Sequence, residues 1–253
     1  MKISIITVVR DGATTINDTI DSVLNQTHKD LEYIVVDGAS TDGTTDILRS
    51  YGNKIDKLIS EEDEGLYDAM NKGIGLATGE IIGFLHSDDL YVDNEVLSKV
   101  SIEFENNSLL DACYSDLIYT HELNTSKIVR YWKSSKYIPG SFSRGWTPPH
   151  PTFFVNRKIY EKFGTFDLQY SISSDTDLMI RLLEVHKINA VYIPQLWVKM
   201  RMGGISTRSK NLVRQNKEVL SALEKHNLPK NIFIFFAHKI ISRAKQLLQR
   251  PIS

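Results

Sequence analysis

The chain has 253 residues, of which 42% are hydrophobic, enough for one large domain with a full core, alone or with an appendage. Its single cysteine, Cys113, excludes an internal disulfide framework and a cysteine-based zinc site. We expect no signal peptide. We also expect no membrane-spanning helix, because no run of about 18 apolar residues occurs. The net charge of −1 is unevenly spread along the chain. From Lys199 onward there are 12 Lys+Arg and 2 Asp+Glu, a net charge of +10, whereas the first 198 residues have 18 Lys+Arg and 29 Asp+Glu, a net charge of −11. The basic tail predicts an anionic partner such as a membrane surface, a phospholipid or nucleic acid.

The first 90 residues alternate strand and helix patterns. Four apolar runs are typical of buried parallel strands, at Ile3–Val9, Leu31–Asp37, Lys57–Glu61 and Ile81–Leu85. Helix patterns separate them, and the first helix opens on a capping box of Thr15 and Asp18. Helix-length connections predict a parallel, doubly wound sheet. Such sheets bind ligands at the carboxyl ends of their strands, where Asp37 and Asp88 would lie.

The elements after residue 90 are less regular. In chain order we predict a helix over Val96–Phe104, strands at Ala112–Tyr119 and Lys127–Trp132, a helix at Asn156–Phe163, a helix opening at Ser173–Asp177, and a last strand at Ala190–Ile193. Residues 133–150 are rich in Ser, Gly and Pro and predict a long loop, which in a compact domain is usually functional.

The basic tail, residues 204–253, predicts two helices divided at Asn227–Pro229. The second helix has basic residues beside an apolar stripe, whereas Ile234 and Phe235 lie off that stripe. The stripe consists of Phe233, Phe236, Ala237, Ile240, Ile241, Ala244, Leu247 and Leu248. This composition is typical of an anchor at a membrane interface, and packing on its own domain or in a homodimer is the alternative.

The stretch from Gly79 to Asp89 carries the strongest chemical signal. Its apolar run ends at two adjacent acids, Asp88 and Asp89, which repel each other unless a positive charge lies close by. A divalent cation that carries a phosphate would supply that charge. The alternative is that these acids only cap the following helix.

Five motifs, taken in order, resemble those of the family 2 glycosyltransferases. They are Ser4-Ile-Ile-Thr-Val-Val, Tyr33-Ile-Val-Val-Asp-Gly-Ala-Ser-Thr-Asp-Gly-Thr, Asp63-Glu-Gly-Leu-Tyr-Asp-Ala-Met-Asn-Lys-Gly, Gly83-Phe-Leu-His-Ser-Asp-Asp and Ser174-Asp-Thr-Asp-Leu-Met-Ile-Arg. The resemblance covers residues 1–207 and implies an α/β protein of the GT-A fold, with a Rossmann-like, mostly parallel central sheet flanked by helices. It further implies a nucleotide-binding half, residues 1–90, an acceptor-binding half, residues 91–207, and a basic amphipathic helical extension, residues 208–253. The most similar members look like bacterial enzymes that build O-antigen, lipopolysaccharide and other surface polysaccharides.

The resemblance also assigns the donor site. Asp88 is the second acid of the family's Asp-X-Asp motif and the expected ligand of a divalent cation, Mn²⁺ or Mg²⁺. His86 stands where Asp or Asn is more usual, which leaves strict metal dependence open, and Asp89 orients a neighbour or caps the next helix. Asp37 is expected to accept a hydrogen bond from the nucleotide base, uracil in most relatives, or else to be a turn residue. The other expected donor-site residues are Thr7, Val9, Arg10, Asp68, Asn71, Lys72, His86 and Ser87, of which Lys72 would meet either a phosphate or solvent.

For the acceptor side, the resemblance makes Asp175 the general base, with Ser174 in the first place of the family's Glu-Asp pair. The alternative is that Asp175 and Asp177 are only first-turn acids favoured by the helix dipole. Arg181 is expected to hold Asp177 four residues before it. His150 and Trp146 are expected in the acceptor site, with Trp146 stacking on a sugar and His150 open to a structural role. The segment from Arg201 to Ser206 resembles a loop that closes over the diphosphate.

The sequence therefore predicts a cytoplasmic, metal-assisted, inverting glycosyltransferase at the inner face of the cell membrane. Its donor would be a UDP-sugar and its acceptor a saccharide on a polyprenyl-diphosphate lipid. A sugar-phosphate nucleotidyltransferase is a weaker alternative, because the segment from Arg10 to Thr15 has one glycine where a glycine-rich phosphate loop is expected. A binding protein that has lost catalysis is another alternative, kept open by His86 and Ser174. We expect no nucleic-acid partner, because no readout motif accompanies the basic tail.

Overall fold

The computed structural model describes residues 1–203 and 211–248, which form one nine-stranded sheet flanked by helices. The strands are β1 (Ile3–Val9), β2 (Leu31–Asp37), β3 (Lys57–Ser60), β4 (Ile81–Phe84), β5 (Asp89–Tyr91), β6 (Ala112–His121), β7 (Asn124–Trp132), β8 (Phe154–Asn156) and β9 (Ala190–Arg201). The helices are α1 (Ile16–Leu24), α2 (Thr44–Ser50), α3 (Leu66–Leu76), α4 (Val96–Asn106), α5 (Arg157–Phe163), α6 (Ser174–Ile180, continued by a π-helical turn over Arg181–Val185), α7 (Leu212–Lys225) and α8 (Ile232–Leu248).

The strand order is β3-β2-β1-β4-β8-β6-β9-β5, and β7 also pairs with β6. The first four strands are parallel, which confirms the predicted doubly wound half of the sheet. All seven residues of β1 are buried, as expected for a central parallel strand covered on both faces. Val9 lies opposite Asp37 on β2, so the two strands end at the same edge.

Two three-residue strands, β5 and β8, are too short for their patterns to be recognised in the sequence. β8 lies antiparallel between β4 and β6 and so joins the two halves of the sheet. β9 continues to Arg201 instead of ending near Ile193. Its pairing with β6 shifts between Tyr114 and Leu117, and this irregularity accommodates Pro194 within the strand.

Each face of the sheet packs its own hydrophobic core. Side chains of α1 and α4, such as Ile20 and Val100, fill one core, and side chains of α3 and α6, such as Met70 and Leu178, fill the other. Leu223 of α7 lies in that second core with Val219 and Ala222. Helix α7 is therefore packed into the main body, although the sequence assigns it to a separate tail.

Helix α8 packs on β7 and on the short 3₁₀ turn Phe142–Arg144 through one narrow face. Only Phe235, Lys239 and Gln246 of this helix are not exposed. The opposite face carries the predicted apolar stripe, and its side chains are open to solvent, with Phe233 88% and Leu248 84% exposed. Within residues 1–203 and 211–248, no helix is both long and apolar enough to span a membrane.

Candidate active site

The candidate site lies at the carboxyl ends of β1, β2 and β4. The loop after β1 packs closely on the loop after β4 at Gly12. A Cβ atom added to Gly12 would lie 2.7 Å from the Val9 side chain and 3.5 Å from the Ser87 hydroxyl. Val9 and Ser87, both predicted donor-site residues, thus meet across Gly12, and Arg10 beside them is exposed. A larger residue than glycine would force the two loops apart.

Asp37 ends β2 as predicted, but it is fully buried. Its carboxylate accepts hydrogen bonds from the Ser40 hydroxyl, the Ser40 amide (3.2 Å), Thr45 (3.3 Å) and Ser60 (2.6 Å). The carboxylate therefore holds its own loop to β3, the structural role that the sequence leaves open for it. A base imide that binds Asp37 must replace one of these serine hydroxyls.

The expectation that Thr7 lines the pocket is wrong. Thr7 is fully buried, donates to the Leu85 carbonyl (2.7 Å) and accepts from the Tyr33 hydroxyl (3.0 Å). These bonds join β2, β1 and the end of β4 beneath the site. Thr7 therefore supports the strand ends without reaching a ligand.

Asp63, which opens the third motif but was given no role from the sequence, lies near Arg10. The carboxylate of Asp63 lies so close to Gly38 that any Cβ there would overlap with it, and Arg10 packs on the same glycine. Asp63 also accepts from the Gly65 amide (2.9 Å). Its place after β3 explains why the second motif needs glycine at position 38, a close approach that is invisible without coordinates.

The three α3 residues predicted to reach the donor are committed elsewhere. Lys72 pairs with Glu61 (2.9 Å) and Asp68 (3.2 Å), and the Glu61 bond is the main reason that its pKa is raised. The Asn71 side chain donates to the Phe166 carbonyl and accepts from the Phe166 amide, both at 2.9 Å. The polar atoms of Asn71 are therefore used within the fold and the charge of Lys72 is compensated, so a direct role of either residue at the donor stays a prediction.

The loop after β4 carries His86, Ser87 and Asp88, all half-buried. The Asp88 carboxylate makes no hydrogen bond or ion pair with any residue that the structure describes, so it is free to bind a ligand. Asp89 does not cap a helix, since it opens β5 and α4 begins only at Val96. Burial, and then the charge of Asp88, raise the pKa of Asp89 well above its ordinary value.

Arg201, at the end of β9, fastens this loop. Its guanidinium donates to the carbonyls of Asp88 and Glu122, both at 3.1 Å, and pairs with Asp18 of α1. The predicted capping box is therefore wrong: Thr15 makes no side-chain cap bond, and Asp18 binds Arg201 instead. Residues 204–206 of the predicted closing loop lie outside the described residues.

His86 and His150 stack with their ring centroids 6.2 Å apart. Burial lowers the pKa of both rings, that of His150 to about 3, and for His150 the neighbouring His86 adds to the effect. Both imidazoles are therefore neutral near pH 7. The rings of Phe84 and Phe166 pack on His150, with centroid distances of 5.5 and 5.6 Å. The two histidines are 64 residues apart in the sequence and are brought together by the fold.

Asp175 lies in the first turn of α6, beside this aromatic group. Its carboxylate accepts from the Tyr67 hydroxyl (3.2 Å) and the Thr176 amide (2.8 Å), and Tyr67 packs on Phe166. Burial raises the pKa of the Asp175 carboxyl to about 6, although both hydrogen bonds oppose the rise. A half-buried carboxyl with this pKa can accept a proton near neutrality.

The predicted pairing of Arg181 with Asp177 is wrong. Arg181 donates to the carbonyls of Gly164 and Thr165, while the fully buried Asp177 lies 2.9 Å from the His226 ring nitrogen and 3.5 Å from Lys225. Asp177 therefore joins α6 to the end of α7.

A second connection from α7 was not predicted. Glu218 accepts from the amides of Ile172 (2.8 Å), Ser173 (2.9 Å) and Ser171 (3.3 Å), and from the Ser171 hydroxyl (2.9 Å). These donors belong to the three residues that lead into α6, of which Ser173 is the N-cap residue, so Glu218 holds the start of the helix. A capping carboxylate that comes from 45 residues further along the chain has no local sequence signal.

Trp146 belongs to an aromatic group with Phe142 (5.4 Å), Tyr137 (5.9 Å) and Tyr114 (6.1 Å). Its indole N–H donates to the Ser135 hydroxyl (3.0 Å), and the ring is half-buried. The group anchors the long loop, residues 133–150, to the sheet. Stacking of Trp146 on a sugar stays a prediction.

The described residues hold no group of three or more His, Cys, Asp and Glu side chains that could bind a metal alone. Mg²⁺-type sites in enzymes of phosphate substrates need only one or two carboxylates, because substrate oxygens and water complete the shell. The free carboxylate of Asp88 meets this requirement. The site therefore fits a cation that arrives with a diphosphate.

Comparison with known proteins agrees with the motifs. The profile described as Glycosyl transferase family 2 matches residues 4–167. An uncharacterized glycosyltransferase of Rickettsia typhi is 32% identical over 191 residues, 74% of this chain and 60% of the relative. A PGL/p-HBAD biosynthesis glycosyltransferase of Mycobacterium bovis is 32% identical over 165 residues, 64% of this chain and 62% of the relative. The chain thus spans about three fifths of the length of these curated relatives.

Solved structures share the fold. The structure of S. aureus TarS 1-349 in complex with UDP-GlcNAc has a TM-score of 0.70 and 16% identity, and the match covers 98% of this chain and 72% of that one. The mannosyltransferase PcManGT from Pyrobaculum calidifontis, in complex with GDP-Man and Mn²⁺, has a TM-score of 0.63 and 17% identity, with 99% and 76% covered.

Proposed function

The chain belongs to glycosyltransferase family 2, and from this premise we propose that it transfers a sugar from a UDP-sugar to a hydroxyl of a saccharide acceptor, with inversion at the anomeric carbon. The observation that carries the proposal is the Asp175 carboxyl. It has a pKa of about 6, is bound by Tyr67, and lies beside the aromatic group that leads to His86 and the Asp88 loop. At neutral pH it is ionised and takes the proton from the acceptor hydroxyl as that oxygen attacks the sugar.

The donor is proposed to bind at the ends of β1, β2 and β4, among Val9, Arg10, Asp37 and Ser87. Asp88 would hold a divalent cation, Mn²⁺ or Mg²⁺, which when bound neutralises the charge of the leaving diphosphate. His86, neutral and half-buried, would donate or accept a hydrogen bond at the ribose or phosphate. TarS and PcManGT, which share this fold, form complexes with UDP-GlcNAc and with GDP-Man and Mn²⁺ respectively, and these complexes support the choice of ligands.

We further propose that the acceptor is a saccharide on a polyprenyl-diphosphate lipid at the inner face of the cell membrane, in surface polysaccharide synthesis. The support is α8, whose apolar stripe faces away from the protein. Exposed apolar surface of this size with basic side chains beside it, here Arg243 and Lys245, suits the interface of an anionic bilayer. The helix would hold the acceptor half of the site beside its substrate.

The test of catalysis is Asp175→Asn, assayed by UDP release and sugar transfer across a panel of UDP-sugars. We expect transfer to fall about 10²- to 10⁴-fold, the range for loss of a general base, while UDP-sugar binding is retained. Asp46→Asn is the matched control, because Asp46 is 88% exposed and pairs with the exposed Arg49 on the surface. Transfer at the wild-type rate in Asp175→Asn would rule out this base.

The test of the cation is the thermal shift that UDP with Mn²⁺ produces, since a ligand that binds only the folded state raises its stability. We expect Asp88→Asn to lose the Mn²⁺-dependent part of the shift and to keep the part due to UDP alone. A full Mn²⁺-dependent shift in Asp88→Asn would show that the cation is held elsewhere.

A further inference from the structure

One oxygen of the Asp63 carboxylate has no role within the fold. Its Oδ1 accepts a hydrogen bond from the Gly65 amide (2.9 Å), whereas its Oδ2 has no hydrogen-bond or ion-pair partner among residues 1–203 and 211–248. Asp63 is half-buried, and Oδ2 is not sealed from solvent, so a ligand can reach it. A carboxylate oxygen of this kind is a strong acceptor for an N–H group.

This oxygen lies at the end of β2. A Cβ added to Gly38 would lie 3.2 Å from the carboxyl carbon of Asp63 and would overlap with Oδ2. Gly38 directly follows Asp37, the last residue of β2, and its amide donates to the carbonyl of Val9 at the end of β1 (2.9 Å). Asp63, which comes from the loop after β3, therefore reaches the sheet edge where the donor is proposed to bind.

Asp37, the carboxylate that the family resemblance assigns to the base, is already occupied. It is fully buried, its Oδ1 accepts from the Ser40 hydroxyl, and its Oδ2 accepts from the Ser40 amide (3.2 Å), Thr45 (3.3 Å) and Ser60 (2.6 Å). An N–H group of a base could bind Asp37 only by displacing one of these donors, which would lose its acceptor. The open oxygen of Asp63 can accept a hydrogen bond without such a loss.

The loop that carries Asp63 is held in place by Lys72. The Lys72 ammonium pairs with the Glu61 carboxylate (2.9 Å) and donates to the Glu62 carbonyl (2.9 Å), and these are the two residues before Asp63. The side chains of Glu61, Glu62 and Glu64 are exposed, whereas that of Asp63 lies against Gly38. Asp63 is therefore distinguished from the solvated acids on either side of it by a fixed position at the sheet edge.

Arg10 lies beside the same glycine. A Cβ on Gly38 would be 3.6 Å from the Cβ of Arg10, and the exposed Arg10 pairs with no carboxylate in the part of the chain that the structure describes. A uracil base presents one imide N–H donor between two carbonyl acceptors. A carboxylate can only accept and a guanidinium can only donate, so Asp63 and Arg10 together match that edge of the base.

We propose that Asp63, rather than Asp37, accepts the hydrogen bond from the imide N–H of uracil, and that Arg10 donates to a neighbouring carbonyl of the base. This inference rests on the proposed function and names the residue that selects the base of its UDP-sugar donor. Asp63 is then a specificity-determining residue, and Asp37 holds the loop after β2. Glycine is required at position 38 because any side chain there would push the Asp63 carboxylate away.

The experiment measures by calorimetry the binding of two probes to the full chain with Mn²⁺: UDP, and 3-methyl-UDP, in which a methyl group replaces the imide hydrogen. The wild type is expected to bind UDP at least about tenfold more tightly, because the methyl group removes a hydrogen bond to a charged acceptor. Asp63→Ala should weaken UDP binding by about tenfold or more and leave 3-methyl-UDP binding unchanged or tighter, so that the two affinities become similar.

Two further variants complete the comparison. Asp63→Asn keeps an oxygen for the Gly65 amide, and its ratio of UDP to 3-methyl-UDP affinity should lie between those of the wild type and Asp63→Ala, because a neutral acceptor makes a weaker hydrogen bond than a carboxylate. Glu62→Ala, which removes an exposed carboxylate from the neighbouring position and keeps the backbone carbonyl, is the control and should retain the wild-type ratio.

The inference is overturned if the wild type binds the two probes equally, or if Asp63→Ala keeps the wild-type ratio. A ratio that falls in Asp37→Asn instead would assign the base to Asp37, and equal weakening of both probes in Asp63→Ala would limit Asp63 to shaping its loop. If Asp63→Ala folds poorly, its Tm falls and the ratio of Asp63→Asn decides. Failure of the proposed function is distinguishable, because a wild type that binds neither probe contradicts the UDP-sugar donor itself, whereas one that binds UDP and transfers no sugar still permits the comparison.

Discussion

Asp175, the proposed base, is a single carboxylate whose pKa depends in part on one neighbouring hydroxyl group. Asp175 has its pKa raised by burial, and the hydrogen bond from Tyr67 limits that rise because it stabilises the charged form. The motif predicted Asp175 from neighbouring residues. Tyr67 is 108 residues away, and only the packing of α3 on α6 brings it there.

Tyr67→Phe is therefore expected to raise the pKa of Asp175 above about 6. A base must be ionised, so the acid limb of the profile of kcat/KM against pH should move to higher pH, with activity reduced at pH 6 and recovered by pH 8 to 9. Tyr160→Phe is the matched control, because the buried Tyr160 hydroxyl has no hydrogen-bond partner among the residues that the structure describes. An unchanged acid limb in Tyr67→Phe would mean that Asp175 does not govern the pH dependence.

At the level of elements, α7 positions α6, the helix that carries the proposed base. Glu218 binds the free amides before α6, and His226 with Lys225 binds Asp177 within α6. The sequence assigned α7 to a tail because its composition is basic and the family motifs end before it. Composition reflects which residues face solvent, whereas the contacts of Glu218 and Asp177 decide where the helix packs.

Glu218→Gln is expected to loosen the start of α6, because one amide N–H₂ replaces a carboxylate oxygen opposite backbone donors. We expect a loss of about 1 to 3 kcal/mol in the free energy of unfolding, and a lower kcat for transfer with donor affinity unchanged. Glu224→Gln, on the same helix and 70% exposed, is the control for stability and kinetics. Equal kcat in the two variants would limit Glu218 to a role in folding.

Across the whole molecule, regular elements were predictable and long-range contacts were not. The parallel half of the sheet followed from apolar runs such as β1 and β4, whose burial on both faces leaves a strong signal. The three-residue strand β8, which completes the sheet, leaves none. The donor-site expectation for Thr7 was wrong for a related reason, since its sequence position is next to the site but its buried hydroxyl is used by Tyr33 and Leu85.

Helix α8 has two opposite faces, one packed on β7 and the other open to solvent. Phe235 docks the helix, whereas Phe233, Ile240 and Leu247 are 88%, 69% and 54% exposed on the other side. A second copy of the chain is the alternative cover for this face. Full burial of such a side chain is worth about 1.5 to 3 kcal/mol, so the three together can dominate membrane binding.

The triple variant Phe233→Ser, Ile240→Ser, Leu247→Ser should lose binding to phosphatidylglycerol vesicles by at least about a hundredfold, measured by flotation, with its Tm unchanged. The matched control substitutes serine at Leu109, Leu123 and Ile138, which are 77%, 87% and 61% exposed on loops or turns elsewhere. The wild type and the control should float equally, and less so with neutral phosphatidylcholine, because Arg243 and Lys245 add attraction to the anionic surface. If the triple variant instead converts a dimer to a monomer on a sizing column, and the wild type does not float, the stripe is a subunit interface and the membrane proposal fails.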